Sequence, residues 1–297
     1  MEFSIILLTY KRDDILQEQF DHLLNVVNET NNDCEVILID NNADGKDRSS
    51  YLNNFKYSQY KQLSQNEGVA GGRNEGILSA KGDYLVFIDD DAFIYPNNCL
   101  ELIKNNFLND PKVKIQAFKS INFNTKKMDR VEFPHPDKNK DADIPFKTFR
   151  FIGVAHAIRA DLFNYINLYQ ADFFYMAEEW DLSYACINAG FEILYFPKVW
   201  VYHKKHIAGR LINLTVLENS LLNKMKIGYR FLKWPYFILN IIIWTVFVII
   251  KSKFRVNILL LYFRYFKWLK ITKVTRTILN KEAITYIHNC GGSVWRR

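Results

Sequence analysis

The chain has 297 residues, 49% of them hydrophobic and 15% aromatic, enough for one large domain with a real core plus an appendage. Its net charge of +7 is uneven: residues 224–297 hold 15 Lys+Arg and one acid, Glu282, while the remainder holds 24 Lys+Arg against 31 acids. Basic charge interleaved with apolar runs suits an anionic membrane surface and argues against nucleic acid. Four scattered cysteines (Cys34, Cys99, Cys186, Cys290) exclude a disulfide framework or zinc site and read as reduced thiols in a cytosolic setting, and the start lacks a signal-peptide pattern.

The first 120 residues alternate short apolar runs with amphipathic stretches. Strands are expected at Phe3–Leu8, Glu35–Ile39, Tyr60–Leu63, Tyr84–Ile88 and Lys114–Phe118, and helices over about 13–28, 70–80 and 97–109. This alternation predicts an α/β domain with a mostly parallel, Rossmann-like sheet and flanking helices. Ligands of such sheets bind beyond the carboxyl ends of the strands. Three strands run directly into polar groups there: Thr9-Tyr10-Lys11-Arg12, Asp40-Asn41-Asn42 and Asp89-Asp90-Asp91. Residues 121–150, broken by three prolines, read as a long loop or irregular hairpin. Phe149–Arg159 then reads as extended, Glu178–Ala189 as helical, and Glu192–Phe196 and Val199–Tyr202 as extended. From about residue 206 the pattern is helical, then strongly apolar.

Three consecutive carboxylates after an apolar strand repel one another unless a cation sits among them, and hard divalent ions such as Mg²⁺ or Mn²⁺ take oxygen ligands and bridge to phosphates. A solvated acidic turn or a helix N-cap is the alternative. The segment Asn66-Glu67-Gly68-Val69-Ala70-Gly71-Gly72-Arg73-Asn74 opens a helix with three glycines, which expose amide donors, and Arg73 adds a charge suited to phosphate oxygens. It has no Gly-Lys-Ser/Thr and is not a Walker-type loop. Asp40, ending a strand, can accept the N3–H of uracil or thymine; capping residues 42–50 is the alternative.

This ordered series resembles glycosyltransferase family 2, whose members have a GT-A fold. Thr9-Tyr10-Lys11-Arg12 resembles its first-strand motif, Ile39-Asp40-Asn41 its base-binding motif, Asn66-x-Gly68-x-Ala70-x-x-Arg73-Asn74 its glycine loop, and Asp89-Asp90-Asp91 its metal motif. Glu178-Glu179-Trp180-Asp181-Leu182 with Gly190, then Val201-Tyr202-His203, resembles the acceptor side of its bacterial rhamnosyl- and galactofuranosyl-transferase-like members. The resemblance implies a hexosyl-transferring enzyme that inverts by direct displacement, using a UDP- or TDP-sugar and Mn²⁺ or Mg²⁺. It makes Glu179 the general base, with Glu178 and Asp181 as alternatives because aspartate is commoner at that position. It also implies that Thr9, Tyr10, Arg12, Asp40, Asn66, Gly68, Arg73, Asn74, Asp89 and Asp90 bind the nucleotide sugar, and that Asp91, His203 and Asp89 hold the metal. Gly153, His156 and Trp180 shape the acceptor pocket or pack the core, and Lys204, Lys205 and Arg210 contact the diphosphate or form a solvated loop. A nucleotidyltransferase of similar fold and an inactive membrane scaffold are the rival readings.

The boundaries expected are a GT-A domain over 1–222, its nucleotide-sugar half ending near 120, and a helical membrane-associating region over 223–297. Trp234–Ile250 holds 17 residues without a charge. As a helix it is about 25 Å long, short of a hydrocarbon core of about 30 Å. Basic flanks on both sides and scattered Trp and Tyr favour helices lying in the membrane plane over a span. A soluble helical subdomain or homo-oligomer interface is the alternative. The expected place of work is the cytoplasmic face of a bacterial inner membrane, on a glycan or lipid-linked glycan acceptor of surface polysaccharide synthesis.

Overall fold

A computed structural model describes residues 1–30, 33–205, 213–272 and 274–294. In chain order its first half comprises β1 (Phe3–Thr9), α1 (Asp13–Asn28), β2 (Cys34–Asp40), β3 (Ser58–Gln62), α2 (Gly68–Ser79), β4 (Tyr84–Asp89), β5 (Ala92–Tyr95), α3 (Cys99–Asn109) and β6 (Val113–Asn122). The second half adds β7 (Phe146–Thr148), β8 (Ala155–Arg159), α4 (Glu178–Asn188), β9 (Glu192–His203), α5 (Asn213–Phe231), α6 (Trp234–Lys251), α7 (Ile258–Thr272) and α8 (Lys281–Asn289).

One sheet runs through the molecule in the order β3-β2-β1-β4-β8-β6-β9-β5, with β7 also on β9. The first four strands are mutually parallel. β1, β2 and β4 are buried on nearly their whole length, as strands covered by helices on both faces must be. Alternate residues of β1 divide between two cores. Ile5 and Leu7 pack with Leu16 and Phe20 of α1, and Ile6 packs on the side of α2 and α4. The α/β sheet with flanking helices thus agrees with the sequence.

Three details differ from the sequence reading. β5 went unseen: it is four residues long, follows the acidic triplet at once, and finds its antiparallel partner in β9, a hundred residues on. The two strands expected over 192–202 are one continuous β9, with Pro197 in the stretch where the register against β6 shifts. Such an irregularity is where a strand tolerates a proline. Phe149–Arg159 is extended only at its end, as β8, leaving a loop that carries Gly153.

α5 runs unbroken through residues 222–223. α6 lies along it rather than projecting away: a Cβ on Gly228 would come within 2.9 Å of Phe237. α7 joins the pair, with Thr245 Oγ1 and Tyr262 Oη 2.9 Å apart. α8 returns to the sheet, where the Tyr286 hydroxyl makes 3.1 Å hydrogen bonds with Ile193 N and Thr148 O.

Candidate active site

The carboxyl ends of β1, β2 and β4 open into a cavity of about 570 Å³. One wall holds Tyr10, Arg12, Asn41, Asn66, Gly68 and Asp89–Asp91; the other holds Gly153, Glu178–Trp180, Ser220, Lys224 and Trp244. Gly68 has a positive φ, and a Cβ there would lie 2.2 Å from the Phe174 carbonyl oxygen, so only glycine admits the loop from the second wall. Asn41 fastens the end of β2 to this turn, donating to Gly68 O at 3.0 Å and accepting from Glu67 N at 2.8 Å. The other glycines of α2 serve packing: Cβ atoms at Gly72 and Gly76 would strike Leu8 and Ile6 of β1.

The acidic triplet is divided by its partners. Arg12 hydrogen-bonds Asp90 and lies 3.2 Å from Asp91. Asp89, Asp91 and His203 each offer a ligand atom, all within 4.8 Å of one another. His203 is placed by the β5–β9 pairing, which sets Ala92 beside it. Its Nδ1 meets both oxygens of Glu132 at 3.0 Å, leaving Nε2 towards Asp91 at 3.4 Å. A carboxylate on the far nitrogen fixes ring and tautomer, as around metal-binding histidines. Burial opposes the charged form of His203, but its hydrogen bonds to Asp91 and Glu132 raise its pKa to about 9. Asp89 keeps 38% of its side chain exposed to the cleft, yet lies deep enough that desolvation pushes its carboxyl up to about 7. Desolvation likewise raises Asp90 to about 6, against the pull of Arg12. The cleft-facing Asp89, the fully buried Asp91 and the oriented imidazole of His203 fit a hard divalent cation.

Arg73 joins the two walls. It donates to Gly153 O at 2.9 Å and lies 3.2 Å from Glu178, 3.4 Å from Glu179 and 3.6 Å from Asp89. Burial works against its charge, and Tyr169 with the surrounding carboxylates more than restores it. Arg73 is therefore engaged by protein groups, beyond the phosphate role its sequence context suggests. A Cβ on Gly153 would fall 2.1 Å from Glu179 Oε1, so this glycine makes room for the contact. Glu178 is buried, and desolvation together with the charge of Glu179 raises its pKa well above the usual range. Glu179 keeps 17% of its side chain exposed and lines the cavity. The glutamates follow Met176 and Ala177, both with positive φ. That strained turn is held from α5, where Asn223 Nδ2 donates to Met176 O at 2.7 Å and Tyr175 O at 3.1 Å.

Several expected residues stand elsewhere. Asp40 presents no free carboxylate to a base: it is fully buried and accepts from Arg48 at 2.9 Å, Tyr60 at 2.8 Å and Asn42. Thr9 is fully buried, beside Asp90. Asn74 is turned to Tyr169 O at 2.8 Å. His156 is core, stacked on Phe87 with Nε2 3.0 Å from the Tyr169 hydroxyl. Asp181 faces away from the cavity and is paired with Arg230 of α5. Lys204 pairs with Glu18 at 2.6 Å, and Lys205 with Asp129 and Glu132. Arg210 lies outside the described residues. Trp180, Gly153, Tyr10, Arg12, Asn66 and Gly68 do line the cavity.

Sequence reasoning missed Glu132, Arg48, Arg150, Lys224 and Trp244. Glu132 sits in a stretch without periodicity. Lys224 and Trp244 look like ordinary members of a basic, apolar tail.

Residues 4–166 match the family described as Glycosyl transferase family 2. A Haemophilus influenzae protein of uncharacterised function is 33% identical over 162 residues, 52% of this chain and 86% of the relative. A poly(ribitol-phosphate) beta-glucosyltransferase of Bacillus spizizenii is 30% identical over 134 residues, 41% of this chain and 20% of that protein's length. The crystal structure of GalNAc-T7 with UDP, GalNAc and Mn²⁺ superposes with a TM-score of 0.61 at 16% identity, over 92% of this chain and 56% of that one. The chain thus spans about a fifth of the second relative and little more than half of the solved structure. The structural likeness establishes the GT-A fold.

Proposed function

The chain belongs to glycosyl transferase family 2, and from that premise we propose that it moves a sugar from a nucleoside diphosphate sugar to a glycan acceptor, with inversion and with Mn²⁺ or Mg²⁺ at Asp89, Asp91 and His203. The observation that carries this is the meeting, across one cavity, of that three-ligand cluster with Glu179 through Arg73. Glu179 takes the proton of the acceptor hydroxyl while the hydroxyl oxygen bonds to the anomeric carbon. The bond from that carbon to the diphosphate breaks on the opposite face, and the nucleoside diphosphate leaves. A bound cation supplies charge compensation for the departing diphosphate. Glu178 is buried and accepts from Arg73, which leaves the more exposed Glu179 as the group that takes the proton. UDP- and TDP-sugars are the first donors to test, as the resemblance at Ile39-Asp40-Asn41 implies.

The apolar surface of α6 and α7 supports work at a membrane. Ile238, Ile242, Val246 and Ile250, four apart on α6, are all exposed, as are Phe263 and Phe266 of α7. Lys251, Lys253, Arg255 and Lys267 stand exposed around them. α6 has 18 residues, so it is about 27 Å long, and it lies against α5, which favours an in-plane helix. Anionic lipid on the cytoplasmic side is the surface it suits, and a glycan or lipid-linked glycan of surface polysaccharide synthesis is the acceptor proposed; the Bacillus relative is named for a polymer acceptor, poly(ribitol-phosphate).

A thermal-shift series of nucleotide sugars with Mn²⁺ tests the donor reading. A ligand of the folded state raises the apparent stability by mass action. One UDP- or TDP-sugar should raise the melting temperature only when Mn²⁺ or Mg²⁺ is present. A panel in which none does so overturns it.

A further inference from the structure

The helix that carries Glu179 has a second cavity behind it. About 400 Å³ of space lies between residues 163–170, the far side of α4 and the end of α5. It shares no lining residue with the catalytic cavity. Glu178, Glu179 and Trp180 line the first cavity, whereas Asp181, Ala185, Asn188 and Ala189 line the second, so α4 is a partition between the two. Asp181 and Arg230 are the buried polar groups of the second cavity, and they pair with each other. That pair leaves one bond unmade. Arg230 is only 7% exposed, and its buried Nε has no partner among the described residues. The side-chain amides of Asn164, Asn167 and Gln170 also line the cavity and make no hydrogen bond among the described residues. Tyr165 stands 66% exposed at the rim, its ring edge-to-face with Phe191 at 5.0 Å.

Among the described residues that line this cavity, Asp181 and Arg230 are the only charged ones, and their charges cancel. A phosphate, a nucleotide or a divalent cation would bring a charge with no counter-charge to meet it. A purely apolar ligand would leave the amides and the Arg230 Nε buried without partners. The occupant that fits is neutral and carries hydroxyls around an apolar ring. Its oxygens accept from the Arg230 Nε–H and the amide N–H groups, its hydroxyls donate to the amide oxygens, and its C–H face lies against Tyr165. The volume falls within the range of small-molecule sites, about 300–1,000 Å³.

We propose that this cavity is a second, non-catalytic binding site for a small neutral saccharide. It lies at the joint of α4 and α5, behind the helix that bears the base, and its occupant gives Arg230 Nε the acceptor it lacks. Saccharide binding here is independent of the donor and acceptor of the catalytic cavity, so the two readings fall separately.

Saturation-transfer NMR on the full chain, in a detergent without a sugar head group, reads the site. The probes are the methyl pyranosides of glucose, galactose, mannose, rhamnose and N-acetylglucosamine. Wild type should bind at least one of them. Ala189→Trp, which fills the cavity from its exposed edge, should abolish that binding. Gln170→Ala should weaken it about fivefold, near the worth of one neutral hydrogen bond. Tyr165→Ala should weaken it by a similar factor through loss of the ring. A cooperative melting transition in each variant confirms its fold. A panel in which no glycoside binds wild type overturns the proposal, and so do folded variants that bind as wild type does. Binding that Ala189→Trp leaves intact belongs to another cavity and overturns it too. Ribitol, an open-chain polyol, binding as tightly as the glycoside overturns the ring reading, and tighter binding of glucose 6-phosphate overturns the neutral one. If Ala189→Trp does not fold, Tyr165→Ala and Gln170→Ala, both within residues 163–170, decide. A Mn²⁺-dependent shift by a nucleotide sugar that survives a failed panel leaves the donor reading standing without this site.

Discussion

The two walls of the cavity are built by different means. The wall of Arg12, Asn41 and Asp89–Asp91 hangs on the ends of three parallel strands, fixed in register along their whole length. The wall of Glu178, Glu179 and Trp180 hangs on a loop with two residues in left-handed conformation, clamped by α5 from forty to fifty residues downstream. The first wall is as stiff as the sheet. The second is a composite of catalytic body and tail, and its geometry can be altered without touching the sheet. It follows that the tail takes part in shaping the site. Removing residues 224–297 would take away Lys226, Arg230 and α8 along with the apolar helices, so deletion confounds attachment with catalysis.

The contrast is broken most severely at the point where the walls meet. Glu179→Gln should lower transfer about 10²–10⁴-fold, the usual cost of losing a general base, with nucleotide-sugar binding kept. Glu178→Gln should cost far less, because Glu178 is buried against Arg73 and its carboxyl is pushed up by burial and by the charge of Glu179. Steady-state rates of both variants check this, and an equal loss in the two would undo the assignment.

Next, Arg230→Met should destabilise the chain by about 3–5 kcal/mol, since it leaves Asp181 buried without its partner. The melting temperature should fall, and acceptor turnover should fail before nucleotide binding does. If both functions decline together, α5 is supporting the whole fold and the two walls are not separable.

On the stiff wall, Glu132→Gln should weaken cation affinity about 10–100-fold through His203. Titration of Mn²⁺ against protein fluorescence would show it. An unchanged affinity would mean that His203 is not a ligand.

The smallest effect belongs to the outer surface. Replacing Lys251, Lys253 and Arg255 by Gln, one at a time, should each reduce binding to anionic vesicles by about 1 kcal/mol at low salt. Wild-type binding that ignores both salt and these changes would favour an oligomer interface over a membrane.

Legibility from sequence follows the same division. β1, β2, β4 and the triplet after β4 are local patterns, an apolar run and then acids, so they could be read directly. Asp40 was legible as a strand-end carboxylate, but its use was not, because Arg48 and Tyr60 approach it only through the fold. Glu132 supports a histidine 71 residues away. Lys224 differs from Lys226 only in what lies opposite, which no periodicity reveals. The glycines of α2 suggested phosphate contact, whereas Gly72 and Gly76 bring helix and strand together.

The central claim is that a cation at Asp89, Asp91 and His203 works with Glu179 in one transfer reaction. The most direct measurement is nucleoside diphosphate release from the donor found by thermal shift, in excess chelator and after Mn²⁺ is restored, for wild type and Asp91→Ala. Wild type should be silent in chelator and recover with Mn²⁺, and Asp91→Ala should stay silent in both. Full release in chelator, or an Asp91→Ala variant as active as wild type, would contradict the account.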